Sequence, residues 1–359
     1  MNVQQTGVNP TPPETLPAAW YHDAEIYAQE RRAVFWTNWA LLGREGELVR
    51  PGDYIADDIA GWPVFVIRAK DGTLRGFHNV CRHRAGPLVG EGAGHCNALR
   101  CRYHGWLYDT DGALRKAPGL ELGKDIEAAE FGLHPVRVGV WNGLVFACLD
   151  PDAPDLEAWL GDIVDIAKDF PSVPDMAFKD LVLHEGTANW KNYSDNSCEG
   201  YHVGFVHKGL GKTVSDEKID IRPYENGSFV GFDVTYEASD ADASRHGRGF
   251  WIYKFPCLLL HFAEYSFNCE RVKPVGPGRV ALKRWFWCDD ARAAKLGVKA
   301  QDAIDSARIV MAEDLGICEA VQRNLEAGIY NTGRMAPSEE VGTIYFQRLV
   351  REALEGPAA

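Results

Sequence analysis

Two cysteine–histidine pairs of unequal spacing stand out in the chain: Cys81-x-His83 and, 17 residues on, Cys101-x-x-His104. Two thiolates and two imidazoles on separate loops form a ligand set for a soft or borderline metal. A structural zinc takes the same four residues, but zinc sites commonly group cysteines with cysteines and histidines with histidines. Here they alternate. Alternation suits a two-iron sulfur cluster with both cysteines on one iron and both histidines on the other. His95 and Cys96 lie nearby but break the spacing.

A second candidate metal site follows. Glu199-Gly200-Tyr201-His202 precedes His207, and a non-haem iron that activates dioxygen typically takes two histidines and a carboxylate, leaving positions open. Side chains five apart on a regular helix point about 140° from each other, so one metal takes both only if the helix ends or bulges between them. Alone, such a pair is better read as ordinary surface or core histidines. Asp314 is the candidate carboxylate, with Val310, Met311, Ile317, Cys318 and Val321 at helical spacing around it. A carboxylate in an apolar stripe is costly to bury unless something pairs with it, and a metal is one such partner. Glu313 is the substitute, less favoured because Gly316 shares its face. Glu319, with Gln322 and Arg323 three and four residues on, reads as a solvated pair.

The elements that must position these residues are legible in outline. Asp23 caps a helix carrying Ile26, Tyr27, Val34 and Phe35. From about residue 39 to 150 short strands alternate with turns, Asp71-Gly72 and Asp111-Gly112 among them, which puts both Cys-His pairs at hairpin tips. Gly90, Gly92 and Gly94 read as loop. The run Asp150-Pro-Asp-Ala-Pro-Asp155 marks a domain boundary. Beyond it come a helical stretch over 156–166, then strands, the His-rich segment, antiparallel strands over 229–289 with a polar break at 239–249, a long helix over 300–327, and a tail with strand and helix. Trp251, Tyr253, Phe255, Phe262, Tyr265, Phe267, Trp285 and Trp287, at strand spacing, read as core.

C-x-H-x17-C-x2-H followed by Gly105-Trp106, with Arg84 and Gly86 after the first pair, resembles the cluster motif of Rieske oxygenases. N-W-K, D-N-x-x-E-G-Y-H-x4-H and E-D-x3-C-E-x-V-Q-R-x-L resemble the catalytic half of their α subunits. The stretch from Gly328 to Arg334, with Glu340 and Phe346, is similar to the branch of choline and related quaternary-ammonium monooxygenases. The resemblance covers residues 20–349. It implies an α+β fold: an N-terminal arm and helix (1–38), an all-β Rieske domain (39–150) and a helix-grip catalytic domain (151–359). It implies a Rieske [2Fe–2S] cluster on Cys81, His83, Cys101 and His104, and a mononuclear Fe(II) on His202, His207 and Asp314. Glu199 then links the two centres. The activity implied is that of a terminal oxygenase that uses O2 to hydroxylate or N-demethylate a small quaternary ammonium or N-methyl compound. Aromatic-ring hydroxylation is the alternative, and electron transfer without oxygenation the remoter one.

No G-x-G-x-x-G fingerprint in a strand–helix context and no further four-cysteine cluster motif is present, so a ferredoxin or NAD(P)H-dependent reductase is the expected electron donor. Arg82, Arg84 and Arg102 beside the cluster ligands could help it dock. Domains of this size have radii of gyration of roughly 13 and 17–18 Å, which sets two centres far apart within one chain. The family remedy is a head-to-tail ring of α subunits, expected to be a homotrimer. A net charge of −13 argues against nucleic acid and membrane surfaces. The start of the chain has neither basic n-region nor apolar h-region, and nine cysteines in 359 residues do not make a secreted disulfide scaffold. A cytoplasmic setting is expected.

Overall fold

Short alternating runs bounded by turns pair into the first sheet. The computed structural model describes residues 12–207, 219–236 and 247–356. Strands β1 (Ala40–Arg44), β2 (Asp53–Ile59), β3 (Trp62–Arg68), β4 (Leu74–His78), β5 (Gly92–His95), β6 (Leu99–Arg100), β7 (Leu107–Tyr108), β8 (Leu114–Lys116), β9 (Pro135–Trp141) and β10 (Leu144–Cys148) come first. They form a seven-stranded sheet in the order β1-β10-β9-β4-β3-β2-β5 and a small sheet, β6-β7-β8. Gly92 and Gly94, expected in a loop, belong to edge strand β5. Gly94 is there because the Tyr54 ring lies over it; a Cβ would stand 2.4 Å from the Tyr54 hydroxyl.

The second sheet runs through β11 (Ala177–Gly186), β12 (Ile219–Tyr224), β13 (Phe229–Tyr236), β14 (Gly247–Lys254), β15 (Leu258–Ala263), β16 (Ser266–Gly276) and β17 (Arg279–Cys288). All its neighbours are antiparallel, in the order β11-β17-β16-β15-β14-β13-β12. Of the break expected at 239–249, residues 239–246 lie outside the described residues and 247–249 open β14. The helices are α1 (Ala24–Glu30), α2 (Leu156–Leu160), α3 (Ile163–Ile166), α4 (Trp190–Ser197), α5 (Val203–Val206), α6 (Asp290–Lys295), α7 (Ala300–Glu326) and α8 (Val341–Glu355). The sheet grips α7 and α4, as Met311, Leu315 and Cys318 of α7 share one core with Val272, Val280 and Leu282. This is the α+β arrangement expected. Helix 156–166 is divided at Gly161, where φ is +59°, and the tail contributes helix α8 with a single bridge, Glu14 to Arg334, in place of a strand. Among the described residues no helix is long and apolar enough to cross a membrane.

The segment before the first sheet does more than precede it. Asp23 caps α1 as expected, accepting from the Glu25 and Ile26 amides. Glu30 of α1 is fully buried, accepting from Trp190 Nε1 at 2.8 Å and pairing with the buried Lys191 ammonium of α4. Leu16 is fully buried too, and its amide donates to Gln347 Oε1 on α8 at 2.8 Å.

Asp57 on β2 ties the two sheets together. Burial works against its charge, but Arg271, Lys273 and Lys283, at 3.1, 2.6 and 2.5 Å, hold its carboxyl well below the usual range. Asp57→Asn leaves Arg271 and Lys283 without their ion-pair partner, while Lys273 keeps Asp58, so a loss of about 3–5 kcal/mol is expected in denaturant unfolding. The depressed pKa makes that contribution complete above the ordinary value of 3.8 and lost only as pH falls through the folded value.

Candidate metal centres and substrate cavity

The two Cys-His loops close in the same way. The Cys81 amide donates to Gly86 O and Ala85 N to Cys81 O; the Cys101 amide donates to Trp106 O and Gly105 N to Cys101 O, all at 2.9–3.0 Å. The second loop is the tip of the β6–β7 hairpin, as expected. The first joins β4 to β5, which are not neighbours in the sheet. Gly86 lets the loops meet: a Cβ there would stand 2.7 Å from Cys101 Sγ.

The thiols of Cys81 and Cys101 are buried, at 2% exposure each, while His83 and His104 are exposed. The two rings meet edge-on at 4.7 Å, and His83 stacks on the buried Trp106 at 5.1 Å. The Tyr108 hydroxyl lies 3.3 Å from Cys81 Sγ and accepts from the Arg82 amide at 3.1 Å. Loss of solvation, then the neighbouring His83 and Arg84, lower the pKa of His104, which favours the neutral imidazole that a metal needs. Among the described residues only His202, His207 and Asp314 make a group of three or more whose ligand atoms all lie within 4.8 Å of one another. One zinc at about 2.0–2.3 Å from each ligand would draw four atoms closer than that. Inner thiols and outer imidazoles fit a two-iron cluster better. His95 points elsewhere, its Nδ1 lying 2.8 Å from Asp53 Oδ1. Arg82 is engaged outside the loops, donating to Gly132 O at 2.7 Å, while Arg84 and Arg102 are exposed.

At the second site the helix does end between the histidines. α5 is one turn, with His202 at its N-cap and His207 at its C-cap, where φ −97° and ψ 85° leave the helical region. His202 Nε2 and His207 Nε2 thereby both face Asp314 Oδ1, at 3.3 and 3.1 Å. That oxygen is buried and receives no hydrogen bond in good geometry. The other ring nitrogens are held as well: His202 Nδ1 by Glu199 Oε1 at 2.5 Å and His207 Nδ1 by Glu313 Oε2 at 2.8 Å. With each Nδ1–H donating to a carboxylate, each Nε2 turns a lone pair toward an anionic oxygen. A cation among the three atoms resolves that conflict.

Protons take that place when no metal does. Burial opposes charging His202, yet Asp314 and Glu199 raise its pKa to about 9. Asp314 also raises His207 against burial, with Glu313 assisting. Burial pushes Asp314 up, but the two imidazoles outweigh it and hold its carboxyl below the usual value. Uptake of ferrous iron by metal-free protein is therefore expected to release protons at about pH 7.5, seen as a buffer-dependent binding enthalpy. Affinity rises with pH up to about 9, the folded value of His202. The sign for stability is opposite: this raised histidine stabilises the metal-free fold below its ordinary 6.5 and ceases to as pH passes about 9.

Glu313, weighed from sequence only as a substitute ligand, thus backs His207 from behind. The expected solvated trio around Glu319 is not one. Gln322 is buried, accepting from the Asn189 amide and donating to Tyr21 O, and Glu319 accepts from the Thr187 amide at 2.9 Å. The stripe around Asp314 is buried at Met311 and Cys318 but exposed at Ile317 and Val321.

A cavity of about 270 Å³ opens beside the three ligand candidates. Trp251, expected as core, is half-buried, lines this cavity and stacks on His261 at 5.2 Å, whereas Tyr253, Phe262 and Phe267 are buried. Sequence reasoning missed the polar members of its wall, His261, Asn268, Glu270 and Arg284. Their signal was Glu270, the one acidic residue on strands β16 and β17. Glu199 and His202 also line a second opening, which faces away past Ile317, Val321 and Tyr330.

Two families match the chain: the Rieske [2Fe-2S] domain over residues 38–127 and the ring hydroxylating alpha subunit (catalytic domain) over 176–356. The carnitine monooxygenase oxygenase subunit of Escherichia coli (strain K12) is 32% identical over 261 residues, covering 70% of this chain and 68% of that protein. The chloroplastic choline monooxygenase of Spinacia oleracea is 27% identical over 357 residues, covering 96% and 80%. A solved quaternary ammonium Rieske monooxygenase, reported for carnitine oxidation by gut microbiota and inter-subunit electron transfer, superposes with a TM-score of 0.84 at 26% identity, covering 96% of each chain.

Proposed function

The chain belongs to the ring-hydroxylating α-subunit family of Rieske oxygenases, and from that premise we propose that it oxidises an N-methylated ammonium compound at a carbon next to nitrogen. Its cofactors are those of the family, a Rieske [2Fe–2S] cluster and a mononuclear non-haem iron, which together supply one-electron transfer and dioxygen activation. One observation carries the proposal: His202, His207 and Asp314 converge beside a largely apolar, aromatic-lined cavity, with each imidazole fixed from behind by a carboxylate.

In this reading His202, His207 and Asp314 hold the iron, and Glu199 and Glu313 set the tautomer and orientation of the rings. Cys81 and Cys101 hold the inner side of the cluster, and His83 and His104 its outer side. Trp251, Phe232 and Phe286 present ring faces to the substrate, each worth about 0.5–2 kcal/mol to a desolvated cation. The cavity wall keeps water from the reacting carbon. A panel of quaternary ammonium, tertiary N-methyl and neutral aromatic compounds, with products identified by mass spectrometry, tests this directly. Turnover of the aromatic compounds alone would contradict it.

An electron donor, a substrate and dioxygen are the partners of this family. For this chain the donor is taken to be a ferredoxin or NAD(P)H-dependent reductase, and the assembly a homotrimer in which each cluster serves a neighbour's iron. Two observations support the ring: His83 and His104 lie exposed at a loop edge, and Glu199 lines an outward opening rimmed by exposed apolar Ile317, Val321 and Tyr330. The division at 38 and 150 is supported by the first sheet, which spans Ala40 to Cys148. A cytoplasmic setting is supported by nine cysteines, none in a disulfide.

Cys101→Ser or His104→Ala is expected to abolish or strongly shift the visible spectrum of the cluster, because these ligands set its electronic structure. His95→Ala and Cys96→Ser should leave it unchanged. Loss of the cluster in the latter two would move the ligand register.

A further inference from the structure

One face of four neighbouring strands forms the cavity wall. Trp251, His261, Asn268 and Phe286 are cross-strand partners in one row; Leu259, Glu270 and Arg284 make the next. Within this wall the polar groups are unequally satisfied. Arg284 uses all three nitrogens: Nε donates to Asn268 Oδ1 at 2.9 Å, Nη2 to His261 Nδ1 at 2.8 Å and Nη1 to Glu270 Oε2 at 3.4 Å. Because His261 Nδ1 accepts, its proton sits on Nε2 and the ring is neutral, which burial and then Arg284 both enforce. Glu270 is different. It is 1% exposed, and its Oε1 is buried and makes no hydrogen bond of good geometry, the Tyr193 hydroxyl reaching the carboxyl only loosely.

A buried carboxylate oxygen left without a partner is expensive. The wall's unmet demand is therefore for positive charge, not negative. Burial raises the pKa of Glu270, while Arg284 and the Tyr193 hydroxyl work to keep it ionised. Glu270 and Asp314 line the same cavity. Trp251 and Phe286 flank Glu270 in the adjoining row and line the same cavity.

We propose that Glu270 is the specificity-determining anion of the cavity, its Oε1 receiving the ammonium group of the substrate and so presenting an N-methyl carbon to the metal trio. This rests on the reading of the protein as an N-methylammonium oxygenase and assigns the contact that reading lacks. Arg284 positions the carboxylate from behind, and His261 and Asn268 hold Arg284. A quaternary ammonium has no N–H, so it meets Oε1 through methyl groups that carry its charge. A tertiary one can donate a hydrogen bond there.

The test is calorimetric binding to the metal-loaded protein under anaerobic conditions. Its probes are choline and its neutral isostere 3,3-dimethylbutan-1-ol. Wild type is expected to prefer choline by at least about thirty-fold, as removal of one partner from a buried charge pair predicts. In Glu270→Gln that preference should shrink to within about three-fold while the affinity for the alcohol stays as it was. A wild-type preference that survives in Glu270→Gln overturns the role of Glu270 and leaves the ammonium reading standing. No preference in wild type overturns both. Should Glu270→Gln fail to fold, a crystal structure of wild type with tetramethylammonium decides the point: nitrogen against the Glu270 carboxylate supports the assignment, and nitrogen elsewhere in the cavity overturns it.

Discussion

Asp314→Ala is expected to leave the cluster spectrum intact while removing the mononuclear iron and all oxygenation. Its Oδ1 is the one carboxylate oxygen lying between His202 Nε2 and His207 Nε2, at 3.3 and 3.1 Å. Without it two neutral imidazoles remain, and these alone hold ferrous iron weakly. Glu313→Ala removes only the acceptor behind His207 Nδ1, so metal affinity should fall by about 10–100-fold with activity recoverable at high iron. Metal analysis of the two purified variants separates the roles. An Asp314→Ala protein that keeps its mononuclear iron, beside a Glu313→Ala protein that cannot be loaded, would exchange the two assignments.

The second large effect is expected at Glu199. Its Oε1 takes the Nδ1–H of His202, and its Oε2 accepts from the Tyr201 and His202 amides. It also borders both the substrate cavity and the outward opening. Glutamine keeps an acceptor for His202, so both metals and the oligomer should survive in Glu199→Gln. What goes is the negative charge that can receive a second imidazole from a neighbouring chain. Turnover should fall by about 100-fold. In a single-turnover assay with pre-reduced cluster, cluster oxidation and product formation should slow together. Wild-type rates of both would leave Glu199 an ordinary capping carboxylate.

Much of this was legible because the chemistry is local in sequence. Cys81-x-His83 and Cys101-x-x-His104 are tight loops whose spacing sets which atoms can meet, and the turn glycines between strands are read without knowledge of the fold. The one-turn α5 follows the same logic: two histidines five apart share a metal only if the helix stops, and it stops. What escaped was set by tertiary neighbours. Gln322 looks like a surface partner of Glu319 until the Asn189 amide and the Tyr21 carbonyl come to it from distant elements. Glu313 reaches His207 across 106 residues. Nothing in the arm over residues 1–38 singled out Leu16, yet it is fully buried in a core that draws on both sheets. Glu270 and Arg284 were hidden by their company, since aromatic-rich strands read as core and only the register shows which face lines a cavity.

The central claim is that two metal centres on different chains make one working site. Its most direct measurement is complementation in mixed oligomers of Cys101→Ser, which lacks a cluster but keeps the iron ligands, and Asp314→Ala, which keeps the cluster but lacks the iron. Each variant alone should be inactive. Co-expressed with different affinity tags and purified through both, the mixed oligomers should turn over substrate at a substantial fraction of the wild-type rate, because a cluster on one chain then stands beside an iron on the next. Mixed oligomers of verified metal content that remain as inactive as their parents would contradict the claim.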